Sequence, residues 1–181
     1  DFYAGQNTLL HHVRFWAPSA MTLIESKNYL SADQLQSLFA SVDPMLAQKK
    51  FSRFSKMDME SEEARIFVAV EDWLNDGKDL PAGIARECIM DWFIHNGPCA
   101  GGWVLNGQVI DPHDIKMPVH IIASRKDQLV EYEAALRVRD FIPHADVTEP
   151  DCGHIGMIAG KWSIEQVWQP MADWMKKHGR A

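Results

Sequence analysis

Asp127 and His154 are the two side chains whose types and surroundings best suit chemistry. A carboxylate that orients a histidine ring and balances its positive charge makes two thirds of a nucleophilic triad. Each stands just past a stretch that reads as a strand. Val119 to Ala123 is apolar without a helical stripe, opened by Pro118 and closed by the charged Arg125-Lys126-Asp127. That is the pattern of a parallel strand covered on both faces. A second strand, Ala145 to Glu149, leads into the glycine-containing loop that holds His154. Taken singly, Asp127 could equally cap a helix, and His154 could be a structural hydrogen-bonder in a tight turn. A third candidate is Cys99, within Gly97-Pro98-Cys99-Ala100-Gly101, which matches the glycine-x-nucleophile-x-glycine spacing of a hydrolase elbow.

The elements needed to position these residues follow from the same stretch. Between the two strands, Tyr132 to Phe141 carries Ala134, Ala135, Leu136 and Val138 at helical spacing, and Pro143 stops it. Strand, helix, strand at this length predicts a βαβ unit with a right-handed crossover. Both strands then end on one edge and bring Asp127 beside His154. Cys99 lacks such a setting. An elbow needs a buried strand before the nucleophile and a helix after it. Here a helix precedes Cys99 and a glycine pair with a hairpin follows, while Pro98 removes an amide that the turn would use. The bland alternative is a turn with a small buried thiol.

The rest of the chain reads mainly as helices. Asp1 to Gly5 is too short to classify. Leu9, Leu10, Val13, Phe15 and Trp16 begin a helical pattern that Pro18 is expected to break, and a further helix is predicted from Ala20 to Tyr29. Ser31 with Gln34 forms a capping-box start for a helix carrying Leu35, Leu38 and Phe39, and Pro44 interrupts. In the basic stretch Lys49 to Phe54, the two phenylalanines read as a packing edge. A helix from Glu60 to Leu74 should end at Asn75-Asp76-Gly77 in a left-handed turn. Pro81 opens the next, Ala82 to Ile94, with Ile84, Cys88 and Trp92 near one face. Trp103 to Ile110 is a hairpin turning at Asn106-Gly107. Ser163 to Lys177 forms a terminal helix with Val167, Met171 and Trp174 inward and basic residues last.

Composition narrows the function. The 181 residues suit one domain, and a net charge of −7 exerts no pull on nucleic acid. Cys88, Cys99 and Cys152 are too scattered for a disulfide framework or a thiolate metal site, which suits reduced thiols in the cytoplasm. His11-His12 and His113 lack an acidic partner four residues on, so no metal is expected. No apolar run approaches the roughly 20 residues of a membrane span.

Five segments carry a family resemblance. They are Glu71-Asp72-Trp73-Leu74-Asn75-Asp76-Gly77, Asn106-Gly107-Gln108-Val109-Ile110-Asp111, Ile115-Lys116-Met117-Pro118-Val119, Asp127-Gln128-Leu129-Val130 and Gly153-His154-Ile155-Gly156-Met157. In this order, from Glu60 to Gly160, the chain resembles the carboxyl-terminal part of polyhydroxyalkanoate synthases, a branch of the α/β-hydrolase superfamily. Glu131 departs from that pattern, standing where proline is common.

The resemblance implies an α/β fold, with residues 1–117 as a helical cap-like region and residues 118–181 as a βαβ unit followed by a terminal helix. It implies Asp127 and His154 as triad members, and a cysteine or serine nucleophile upstream of the cap, before Asp1. The implied chemistry is acyl transfer from 3-hydroxyacyl-coenzyme A to a growing polyester, with acyl-CoA as substrate and no cofactor. Ester or thioester hydrolysis uses the same machinery. The implied partner is an amino-terminal half, and the implied location is the cytoplasm, at polyester granules. Separately, a Val119 to Ala123 strand apolar on both faces needs cover from cap helices or from a second copy of the chain. A different class of reading is a non-catalytic interaction module built on cap helices rich in Phe, Trp and Met.

Overall fold

Apolar residues three and four apart run from Leu9 to Ile24 without losing register at Pro18, and the chain there is one helix. In the computed structural model, which describes residues 8–179, α1 spans Thr8–Lys27 with Pro18 inside it. Leu10, Val13, Ala17, Ala20 and Ile24 are buried along one stripe. The expected break at Pro18 and a separate helix from Ala20 are therefore incorrect. A proline removes one backbone bond, and continuous burial on both sides of it holds the helix together. Phe15 lies off the stripe and is exposed. Asn28, in the left-handed region at φ 64°, ends the helix. The reading of Asp1 to Gly5 falls outside the described residues.

The chain forms two compact units. In the first, His11–Met90, the predicted helices form. Ser31 accepts from the Gln34 amide while Gln34 Oε1 accepts from the Ser31 amide, completing the capping box of α2, Ala32–Val42. After Pro44, α3 runs Leu46–Phe54, and α4 runs Glu62–Asn75 from a Ser61 cap. Phe54 stacks on Phe67 of α4 at 4.3 Å, and Phe51 meets the same ring edge-on at 5.8 Å. The two phenylalanines are thus the packing edge anticipated. Lys50 and Glu71 join the same two helices at 2.6 Å.

Two details differ from the sequence reading. α4 does not end in a left-handed turn, because Asp76 sits at φ −84°. Gly77 serves a close approach instead: a Cβ there would meet Ala32 Cβ at 3.0 Å. Tyr29–Leu30 (β1) also pairs antiparallel with Leu80–Pro81 (β2), a short sheet in the helical half. α5, Ala82–Arg86, then continues as a wider π turn, Glu87–Ile94. The buried positions are not the expected Ile84, Cys88 and Trp92. Ala85 and Ile89 are buried, and Ile84 is exposed.

The second unit holds the described chain from Asp91 onward, with Thr8–Leu10. β3, Val104–Leu105, and β4, Gln108–Val109, form the predicted hairpin, with Asn106 and Gly107 both at positive φ. β5, His120–Ile122, pairs in parallel with β6, Asp146–Thr148, in the register His120↔Asp146 and Ile122↔Thr148. Between them lie α6, Tyr132–Leu136, and a 3₁₀ turn, Arg137–Asp140. β5 is half-buried rather than fully covered, and among the described residues it has one strand neighbour. After a short α7, Gly156–Ala159, the expected terminal helix appears as a π turn, Ile164–Trp168, running into α8, Gln169–His178. No helix among the described residues is long and apolar enough to cross a membrane.

Trp174 seats α8 on the strands. Its ring stacks on His120 at 5.0 Å and on His178 at 4.6 Å, and its indole N–H donates to Asp146 Oδ2 at 2.7 Å. That N–H is the main reason the Asp146 carboxyl lies below its ordinary 3.8. Because the folded carboxyl is depressed, its contribution is present above the unfolded value and is lost as pH falls through the folded one. Trp174→Phe keeps the stack and removes the donor. We therefore expect Trp174→Phe to be less stable than the parent at neutral pH, with the gap narrowing below pH 3.8 in urea melts run across the acid range. A gap independent of pH would refute the assignment.

Candidate active site

The two strands run in parallel, so their carboxyl ends lie on one edge. The last rung between them is the Ala123 amide donating to the Thr148 carbonyl at 3.1 Å. Beyond it the chains diverge into the loops that carry Asp127 and His154.

Asp127 is fixed from its own loop. Its Oδ1 accepts the amides of Leu129 and Val130 at 2.8 and 3.0 Å, and its amide donates to the Ser124 carbonyl. It is not the cap of α6, whose N-terminal position is Glu131. Oδ2 is left for His154, whose Nδ1 stands 2.8 Å away. The carboxylate side chain is 4% exposed and the imidazole 41%. An ionised carboxylate only accepts, so toward Asp127 the imidazole donates from Nδ1, and Nε2 is the nitrogen turned away from the carboxylate. Among the described residues, none hydrogen-bonds Nε2. A ring oriented from behind, with an accessible basic nitrogen in front, has the geometry of a general base.

One residue that the sequence reading overlooked joins the two loops. Ser124 is buried, at 1% exposure. Its hydroxyl donates to the Cys152 carbonyl at 2.6 Å and accepts the Lys126 amide at 3.1 Å. The available signal was a hydroxyl ending an apolar run three residues before Asp127. Around it, Arg125 pairs with Glu149 and Lys126 with Asp151, both at 2.7 Å. These pairs are exposed and add little stability. Arg125 also covers the Tyr132 ring at 3.9 Å. The Tyr132 hydroxyl is held above its ordinary value, chiefly by its hydrogen bond to Glu149.

Cys99 does not sit on an elbow. It follows the π turn ending at Ile94, its amide donates to the Asn96 carbonyl, and β3 comes next. Its φ is not positive, whereas Asn96 and Gly101 on either side are. All three cysteines are free thiols. Burial raises the Cys88 and Cys152 thiols above their ordinary range, keeping them protonated at neutral pH. His12 bonds Ser41 and His113 bonds Asp111. Among the described residues no group of three or more His, Cys, Asp or Glu is arranged to hold a metal ion.

Comparison with known proteins agrees with the resemblance carried by the motifs. No protein-family model matches the chain. The poly(3-hydroxyalkanoate) polymerase subunit PhaC of Haloferax mediterranei is 27% identical over 165 residues, 89% of this chain and 33% of the relative. The PhaC subunit of Allochromatium vinosum is 27% identical over 85% of this chain and 44% of its own length. That of Haloarcula marismortui is 28% identical over 86% and 34%. The chain spans between a third and less than half of the length of these curated relatives. It is polyhydroxyalkanoate synthase-like, similar along most of its length to the PhaC subunits of poly(3-hydroxyalkanoate) polymerases.

Proposed function

We propose that Asp127 and His154 are the general-base half of an acyl-transfer site of the α/β-hydrolase type. The observation that carries this reading is the 2.8 Å bond between Nδ1 and Oδ2 at the shared edge of two parallel strands. In this account His154 Nε2 takes the proton of a cysteine or serine nucleophile as it attacks a thioester carbonyl. Asp127 holds the ring in the useful tautomer and stabilises the imidazolium. The nucleophile comes from polypeptide outside the described residues, which the greater length of the PhaC relatives accommodates. Residues 1–117 then act as a cap and residues 118–181 as the last part of the hydrolase sheet. The similarity to PhaC points to 3-hydroxyacyl thioesters of coenzyme A as donors and a polyester chain end as acceptor, in the cytoplasm at a granule surface. With water as acceptor the same residues support hydrolysis.

The test is coenzyme A release from 3-hydroxybutyryl-coenzyme A. This chain alone is expected to show no burst and negligible turnover, because a histidine and aspartate without a nucleophile only assist water. Joined to the nucleophile-bearing remainder of a PhaC relative, it is expected to release coenzyme A and form polymer. Release without polymer would favour a hydrolase. Turnover by the isolated chain that disappears in Cys99→Ala would overturn the reading and make Cys99 the nucleophile. A joined protein that folds but stays inert would favour an interaction module.

A further inference from the structure

Resting on the proposed Asp127–His154 pair, we infer that Ser124 is a positioning residue for it: its buried hydroxyl sets the separation of the two loops and so the Nδ1 to Oδ2 bond. The sheet cannot set that separation by itself, since its ladder stops at the Ala123 to Thr148 rung. Past that rung, at least three kinds of contact join the loops, besides the hydrogen bond that Tyr132 at the start of α6 makes to Glu149. The first is the Asp127–His154 bond itself. The second is the pair of exposed bridges Arg125–Glu149 and Lys126–Asp151, which solvent screens. The third is the Ser124 hydroxyl on the Cys152 carbonyl at 2.6 Å, with Ser124 1% exposed.

Its placement suits the role. Ser124 precedes Asp127 by one turn, and Cys152 precedes His154 by two residues. The same oxygen accepts the Lys126 amide at 3.1 Å, so the hydroxyl proton is directed to the carbonyl and its lone pair to its own loop. One group thereby fixes the turn that delivers the carboxylate and the backbone that delivers the imidazole. Losing the hydroxyl leaves both reactive side chains present but frees the distance between them, and a small error in that distance is costly.

The experiment is nitrogen-15 NMR of the His154 ring in the full chain, reading which nitrogen carries the proton and how fast that proton exchanges. In the parent we expect the Nδ1–H tautomer with a slowly exchanging proton, and Asp127→Asn should move the proton to Nε2. Ser124→Ala should speed exchange about tenfold, the worth of one buried hydrogen bond, and admit a fraction of the Nε2–H tautomer. Ser124→Cys, close in volume and a poor donor, should do the same if the alanine variant folds badly, and Ser124→Thr should restore the parent signal. A purely structural serine would lower the urea midpoint and leave tautomer and exchange unmoved, which overturns the proposal. If Asp127→Asn shifts the tautomer and neither Ser124→Ala nor Ser124→Cys does, Ser124 is excluded while the pair stands. If Asp127→Asn also leaves the ring unchanged, the reading on which the proposal rests fails with it.

Discussion

Asp127→Asn, in a protein joined to its nucleophile, is expected to lower turnover by about four orders of magnitude with little loss of stability. The reason lies in the division of labour between the two carboxylate oxygens. Oδ1 serves the backbone, accepting Leu129 and Val130, and an asparagine oxygen can take over both bonds. Oδ2 serves His154, and the amide nitrogen that replaces it is a donor. The imidazole proton then moves to Nε2, and the nitrogen facing the nucleophile is no longer a base. Asp127→Ala separates the roles in the other direction. It removes the acceptor for two backbone amides at a 4%-exposed side chain, which should cost about 2–4 kcal/mol in urea melts of the chain alone. Comparable turnover for parent and Asp127→Asn, within about tenfold, would contradict the orienting role.

How much of this was legible depended on whether the deciding interactions were local. The Ser31–Gln34 capping box and the Asn106-Gly107 hairpin depend on neighbours a few residues away and formed as read, and a strand formed within Val119 to Ala123, though half-buried rather than covered on both faces. Asp127 and His154 were brought together for the same reason. Two strands and a crossover are local patterns, and parallel pairing dictates that their ends share an edge. What the sequence did not disclose was decided by partners far along the chain. Pro18 stays within α1 because Val13, Ala17, Ala20 and Ile24 are buried as a continuous stripe. Gly77 is small for the sake of Ala32, and β1 exists only because Leu80 returns to it. The π turns at Glu87–Ile94 and Ile164–Trp168 shift side-chain register by one residue, which a fixed helical period cannot anticipate. Ser124 went unnoticed because a single hydroxyl at a strand end is ordinary until its acceptor, the Cys152 carbonyl, is placed beside it.

His154 carries the central claim, and its removal should have the largest effect of any substitution. His154→Ala leaves Asp127 tied to Leu129 and Val130, so the loop is expected to persist and the loss to be chemical. Histidine is 41% exposed here, and its replacement disturbs little packing. Without a base, a triad enzyme retains only what binding and oxyanion stabilisation provide, a fall of about six orders of magnitude in turnover. The direct measurement is rapid-quench acylation in a single turnover, with 3-hydroxybutyryl-coenzyme A and the chain joined to a nucleophile-bearing PhaC segment. The account predicts a burst of coenzyme A release in the parent and none in His154→Ala, with both proteins equally folded. A burst of equal rate and amplitude in His154→Ala would show that the nucleophile is activated elsewhere and that the Asp127–His154 pair is structural.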